Sequence, residues 1–350
     1  MKERKNILYI LILMIIALPG LTISCRDSQE FTDNPRGNFE ALWTIIDQRY
    51  CFFDDKKIDW NEIYALYLPK IKDNMTDEEL FDVLADMLAE LQDGHVNLTS
   101  SFNMARYWAW FEDWPSNYNE ETVEKYYLRR PDYKIAGGMK YRILDQSNIG
   151  YIYYGNFSSG IGESNLDYIL AEFSVCKGII IDVRNNGGGM LTNVNRIAAR
   201  FTDRDLITGY IRHKTGPGHD QFSDFYPMKL ETAPPNRIHF RKPVVVLTNR
   251  RCYSATNDFV SVMKMLPEVK IVGDRTGGGG GLPVSSELPN GWSVRFSASP
   301  VYNAEKEHIE FGIDPDIPAS IGDDSQRVDG IIERGIEVVD SLYNCKNYNL

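Results

Sequence analysis

A chain of 350 residues can hold one large domain or two ordinary ones, each with a sizeable core. With 43% apolar and 25% charged residues it has the composition of a folded globular protein and not of a disordered one. A net charge of −11 without a Lys/Arg cluster argues against nucleic acid as a partner, because phosphate binding needs a basic face.

The first element is not part of the fold. Lys2, Arg4 and Lys5 precede an apolar run from Ile7 to Ile23, the layout of a secretory signal peptide over residues 1–24. The run ends in Leu21-Thr22-Ile23-Ser24-Cys25. A small residue directly before a cysteine resembles the lipobox of bacterial lipoproteins, although Thr22 stands where these boxes usually carry Leu. The resemblance implies a lipidated Cys25, a membrane anchor, a location in the bacterial cell envelope and a polar tether over 25–37. An uncleaved membrane anchor is the alternative.

From Asn38 the pattern turns helical. Phe39, Leu42, Trp43, Ile46, Tyr50 and Phe53 recur at three- and four-residue spacing. Asp59 with Glu62, then Thr76 with Glu79, mark the starts of two further helices. The third carries a stripe of Leu80, Leu84, Met87, Leu88 and Leu91 and is expected to stop at Asp93-Gly94, with the glycine in a left-handed cap. Residues 38–100 therefore read as a small helical domain whose exit loop carries His95. An aromatic, irregular stretch follows, with Trp108, Trp110 and Trp114 close together. Strands are expected at 149–157, 178–183, 242–248 and 269–272, separated by helices near 164–174, 191–202 and 255–266. Such alternation implies right-handed crossovers and a mostly parallel sheet, hence an α/β fold over residues 101–345. Asn290-Gly291 signals a hairpin, and the chain closes with an amphipathic helix near 328–343. Cys51, Cys176, Cys252 and Cys345 match no metal or disulfide framework; Cys176 and Cys252 read as packed apolar thiols.

Three groups carry chemistry. Ser254 follows an apolar strand and a short loop and opens a helix, so its hydroxyl lies near the positive helix end; a plain N-cap serine is the competing explanation. Gly187-Gly188-Gly189 after Asn185-Asn186 exposes backbone N–H groups at a helix start, where an oxyanion could be held. Phosphate is a further ligand for such a turn, but the endings of the common phosphate loops are absent. His95 is a possible general base for Ser254, against the alternative of a packed histidine. Glu310 offers a carboxylate to orient the histidine; a solvated surface charge is the competing explanation.

In order along the chain, Asp182-Val183-Arg184-Asn185-Asn186-Gly187-Gly188-Gly189, Tyr253-Ser254-Ala255-Thr256-Asn257, Val272-Gly273-Asp274-Arg275-Thr276-Gly277-Gly278 and Gly312-Ile313-Asp314-Pro315-Asp316-Ile317 resemble the C-terminal-processing (tail-specific) serine peptidases. That superfamily includes the tricorn core and the interphotoreceptor retinoid-binding modules. The resemblance covers roughly residues 38–325. It implies a crotonase-like (ClpP/crotonase) catalytic domain after the N-terminal helical domain. Ser254 would be the nucleophile, with an oxyanion hole from Ala255 and a glycine of Gly187-Gly188. The tail-specific branch uses a lysine base, but the corresponding segment here is Gly277 to Gly281. His95 is therefore the expected base, by similarity to the tricorn core, with Glu310 as its distal carboxylate. Only about 40 residues separate the helical region from the strand at 149, too few for a PDZ module of roughly 80–100 residues.

The expected function is that of a lipid-anchored extracytoplasmic serine peptidase acting on peptide or protein substrates through an acyl-enzyme. It would need no metal and no cofactor. The rival reading is a non-catalytic module of the same fold that binds a hydrophobic ligand, with the aromatic stretch from Tyr107 to Trp114 lining its pocket.

Overall fold

A computed structural model describes residues 31–322 and 327–348 of the chain. The expected signal segment, residues 1–24, and Cys25 lie outside the described residues. The first helix, α1 (Pro35–Arg49), starts three residues before the expected point, because Asn34 caps it by accepting from the Gly37 N–H and Pro35 fits its first turn. Helix α2 (Trp60–Tyr67) is capped by Asp59, and α3 (Asp77–Ala89) by a full Thr76–Glu79 capping box. The stripes of these helices do not close on one another alone. Phe39, Leu42, Ile46, Leu84 and Leu88 share one core with Trp292, Val294 and Phe296 from a distant strand. An amphipathic stripe must be buried against something, and here a sheet face provides part of the cover.

That sheet runs β2 (Met104–Arg106), β1 (Asn97–Thr99), β12 (Ser293–Tyr302), β7 (Leu206–Ile211) and β8 (Tyr226–Leu230), with β11 (Gly281–Glu287) also on β12. The hairpin of β11 and β12 turns at Asn290-Gly291 as expected, with Gly291 at φ +82°. Strand β1 pairs with β12, placing Asn97 opposite Arg295, so the segment leaving the helices is stitched to the sheet two residues after His95.

The second sheet has seven strands in the order β13 (Ile317–Pro318), β10 (Val269–Gly273), β9 (Val244–Thr248), β6 (Ile179–Asp182), β5 (Ile149–Tyr154), β4 (Met139–Leu144) and β3 (Lys134–Ala136). The β13-to-β5 part is parallel, and β4 and β3 extend it antiparallel. Strands β6 and β9 are buried at every position, as continuous apolar runs covered on both faces should be. Helices α4 (Glu163–Glu172), α5 (Leu191–Ala198) and α6 (Ala255–Lys264) cover one face. Helix α7 (Gly330–Tyr348) covers the other through Ile331, Ile332 and Val339.

Arg184, two residues past β6, is fully buried and bonded to Asp182 at 2.7 and 2.9 Å and to Asp329 at 2.9 and 3.0 Å. Asp329 in turn accepts from the Ile331 and Ile332 N–H groups at the start of α7. One guanidinium thus pins α7 to the sheet. Replacing it, Arg184→Met, strands two buried carboxylates and is expected to lower the unfolding free energy by about 3–5 kcal/mol, read from the urea midpoint at constant slope.

Candidate active site

Strand β9 delivers the chain to a five-residue loop, Asn249 to Tyr253, that ends on Ser254. Ser254 sits at φ +57°, ψ −125°, a region that a residue with a side chain occupies at a cost of order 1–3 kcal/mol. Its hydroxyl makes no cap bond to α6. The N-cap explanation therefore fails, and Oγ is turned away from the helix it precedes. It lies 2.9 Å from Nε2 of His95, a residue 159 positions earlier in the chain.

His95 is 4% exposed. Burial pushes its imidazole down to about 4; the Asp93 carboxylate opposes this, and Arg295 and Lys56 add to it. The ring is neutral near pH 7. For Nε2 to accept the Ser254 proton, Nδ1 must carry the ring hydrogen, and Nδ1 has no hydrogen-bond partner among the described residues. What holds His95 is its backbone. Asp93 Oδ1 accepts from the His95 N–H at 2.7 Å and from the Tyr253 hydroxyl at 3.3 Å; Oδ2 accepts from Tyr50 at 3.1 Å and Ser297 at 2.9 Å. Burial alone would raise the Asp93 carboxyl, but Lys56, His95 and these hydrogen bonds hold it below the usual carboxylate range. Asp93 therefore fastens Tyr253, the residue before Ser254, and His95 to one anion.

Gly94 is not the left-handed cap expected. Gln92 takes that conformation, at φ +47°. Glycine is required at 94 for space, since a Cβ there would lie 2.5 Å from Trp110 Nε1 and 3.0 Å from the Tyr253 hydroxyl.

The expected contact between Glu310 and His95 is not formed. Glu310 places Oε1 2.9 Å from Lys56 Nζ and accepts the Gly280 N–H on Oε2 at 2.9 Å. The physical reason is the buried Lys56 ammonium, which needs a counter-charge. The glycine run helps set this aim, because Gly278 and Gly279 press so closely on the Glu310 backbone that no Cβ fits at Gly278. Burial raises the Glu310 carboxyl to about 7, with Lys56 working against the rise and Asp93 for it.

The glycine turn lies against Ser254, with one difference from the expected donors. Gly188 sits at φ +101°, and a Cβ on it would lie 2.8 Å from Ser254 Cβ and 2.9 Å from the Ala255 nitrogen. Its own N–H, however, donates to Asn186 Oδ1 at 3.0 Å. The N–H groups of Ala255 and Gly187 form no hydrogen bond among the described residues. Asn186, which sequence reasoning passed over, is fully buried; its carboxamide also receives the Thr256 hydroxyl at 2.7 Å and donates to the Tyr154 carbonyl at 2.8 Å. Among the described residues there is no cluster of His, Cys, Asp and Glu that could hold a metal.

Beside the pair lies a cavity of about 540 Å³, walled by Trp110, Trp114, Tyr107, Arg250, Arg275 and Phe311 and reaching Gly94 and Tyr253. Trp110 stacks on Tyr253 with ring centres 4.1 Å apart, and Tyr253 packs on the His95 ring at 4.9 Å. The aromatic stretch singled out in the sequence thus borders the Ser254–His95 pair.

The model of peptidase family S41 matches residues 148–319, and that of the tricorn protease C1 domain matches residues 31–89. The carboxy-terminal processing protease CtpA of Bacillus subtilis is 26% identical over 185 residues, 52% of this chain and 37% of that protein. The chain spans little more than a third of the curated relatives of this kind. The crystal structure of mature CPAF, 15% identical, shares the fold with a TM-score of 0.66 over 89% of this chain and 98% of that one. The crystal structure of a putative peptidase from Parabacteroides merdae is 55% identical, with a TM-score of 0.84 over 88% of this chain and 97% of that one. The fold is the α/β fold of these peptidases, a ClpP/crotonase-like core preceded by a helical tricorn C1 region. On the motif match over the catalytic sheet and the identity across nearly all of the Parabacteroides merdae protein, the chain belongs to peptidase family S41.

Proposed function

We propose that the protein hydrolyses peptide bonds with Ser254 as nucleophile and His95 as general base. The observation that carries this reading is the 2.9 Å contact between Ser254 Oγ and His95 Nε2 at a strained strand-to-helix turn. Oγ attacks the scissile carbonyl carbon while its proton passes to Nε2. The carbonyl π pair moves to oxygen, where the Ala255 and Gly187 N–H groups receive it. On collapse the C–N bond breaks and the imidazolium returns the proton to the leaving amine. Water, deprotonated by the same nitrogen, then releases the acyl group. A single donor of the oxyanion hole stabilises the transition state by about 3–4 kcal/mol. Asp93 is a positioning residue that acts through the His95 backbone N–H and the Tyr253 hydroxyl, and its charge favours the imidazolium. Glu310 acts at one remove, by neutralising Lys56.

The lipid anchor at Cys25 and the cell-envelope location rest on the sequence signal and belong to this proposal. The second reading, a hydrophobic-ligand module, is favoured by one observation, the aromatic cavity beside the pair.

A fluorophosphonate probe tests the choice. It is expected to label Ser254 alone, as mapped by peptide mass, and to fail on His95→Ala. Gly187→Ala, where a Cβ meets open space, keeps the labelling rate within a few-fold, whereas Gly188→Ala, blocked by Ser254 and Ala255, loses it. A folded protein with no adduct would remove the peptidase assignment and leave the ligand-binding one.

A further inference from the structure

The cavity beside the catalytic pair has a surplus of hydrogen-bond donors at one end. Arg250 is half-buried there, and its guanidinium lies over the Trp114 ring at 4.2 Å. Its Nε donates to the Trp110 carbonyl at 2.7 Å and Nη1 to the Thr276 carbonyl at 3.1 Å, both neutral acceptors. Among the described residues it forms no ion pair, and Nη2 forms no hydrogen bond. Burial and the neighbouring Arg275 push the guanidinium below its ordinary value. The acid that acts on it, Asp274, already accepts from the Asn117 amide and the Arg275 N–H. Arg275 itself donates to the Phe311 carbonyl at 3.0 Å and reaches the nearest carboxylate, Asp314, only at 3.6 Å. The indole N–H of Trp110, on the same wall, also finds no acceptor among the described residues.

The carboxylates around the cavity do not answer this charge. Glu310 is committed to Lys56, Glu90 accepts from the Tyr67 hydroxyl, Asp55 faces His308 at 3.5 Å, and Asp113 is exposed. A half-buried guanidinium beside a second one, with Nη2 uncommitted, calls for an oxyanion that can meet it. At 540 Å³ the space is wide enough for a side chain and the main chain that bears it.

We infer that this cavity is a subsite for a substrate carboxylate, received by Arg250 and flanked by Trp110 and Trp114. The inference rests on the peptidase reading for its substrate class. The carboxylate is either the C-terminal group of the peptide or an Asp or Glu side chain near the scissile bond; both present the same anion.

The test uses the full chain carrying Ser254→Ala, so that binding is read without turnover. Calorimetry compares hexapeptide pairs containing Phe: free acid against C-terminal amide, and Glu against Gln at each position. The carboxylate member of one pair is expected to bind roughly 10–100-fold tighter, the range of a charge-assisted hydrogen bond. A preference for the free acid identifies the C-terminal source, and a Glu preference in amidated peptides the side-chain source. Adding Arg250→Gln should bring that ratio to near one while leaving the neutral peptide's affinity within a few-fold. If Arg250 only staples the 108–116 segment to the glycine run, both members weaken together and the ratio survives, which overturns the inference. So does a native Arg250 that distinguishes no pair. Carboxylate binding that persists in a protein whose Ser254 resists the fluorophosphonate would keep the pocket and remove the peptidase.

Discussion

Ser254→Ala is expected to lose peptide turnover by a factor on the order of 10⁴–10⁶, and His95→Ala by a similar factor. The double variant should be no worse than either single one, because the two groups act as a unit. Either hydroxyl or imidazole alone is a poor catalyst; only the hydroxyl whose proton is drawn off during attack is a strong nucleophile. Stability offers the control. Alanine at 254 keeps a side chain at φ +57°, so the backbone strain remains and the urea midpoint should move little. Turnover is read with an unspecific fluorogenic peptide mixture, and folding by circular dichroism on the same samples. Two single losses that multiply in the double variant would mean that the residues act independently, and the proton-transfer role of His95 would fall.

The acid limit of kcat/KM is expected at about pH 4, well below the 6.5 of an ordinary histidine, because the free enzyme must hold His95 neutral and burial does so down to that point. Replacing Arg295, whose charge helps to lower the imidazole, should move the limit upward; Asp93→Asn removes the opposing charge and should move it down. The unfolding equilibrium behaves differently. The unfolded chain protonates His95 at about 6.5 and the folded one at about 4, so this group's stability is complete above 6.5. It is lost as pH falls through that window, by about 3 kcal/mol in all. Glu310 has the opposite sign. Its folded value is raised to about 7 from 4.5, so the folded state holds the proton first and gains about 3 kcal/mol as pH falls across that interval. Between roughly pH 6.5 and 4.5 the two contributions offset. Denaturant midpoints of the native chain should therefore change little from these two groups in that window. Glu310→Gln should unmask a decline toward acid, while its kcat/KM limit stays set by His95. A limit that stays near pH 6.5 in the native chain would show that His95 is solvated in solution, or that another group is the base.

Much of the site is legible in local sequence because its parts are local devices. The Thr76–Glu79 capping box, the Asn290-Gly291 hairpin and the buried runs of β6 and β9 each declare themselves within a few residues, through periodicity and turn chemistry. Alternation of such runs with helices is enough for a parallel α/β sheet, and that sheet's loops carry Ser254 and the glycine turn to one edge. Glycine itself is ambiguous in sequence. Gly94 reads as a left-handed cap, but the structure needs its missing Cβ so that Trp110 and Tyr253 can approach, and Gln92 takes the left-handed turn. Glu310 shows the same limit for charge. Its place in the motif order says that a carboxylate is near the site, but its partner depends on Lys56, which the single turn Phe53–Lys56 delivers from the helical region.

The sequence by itself thus determined the α/β class, the helical prelude, the serine turn and the glycine turn, since each follows from neighbours within one or two turns of chain. Only the tertiary structure decided that His95 meets Ser254 across 159 residues, that Asp93 and not Glu310 anchors the base, and that Gly187 and Ala255 rather than Gly188 keep an unengaged N–H. Those outcomes depend on which buried donors and charges find partners once the two sheets and the helices share their cores, and chain order carries no measure of that distance.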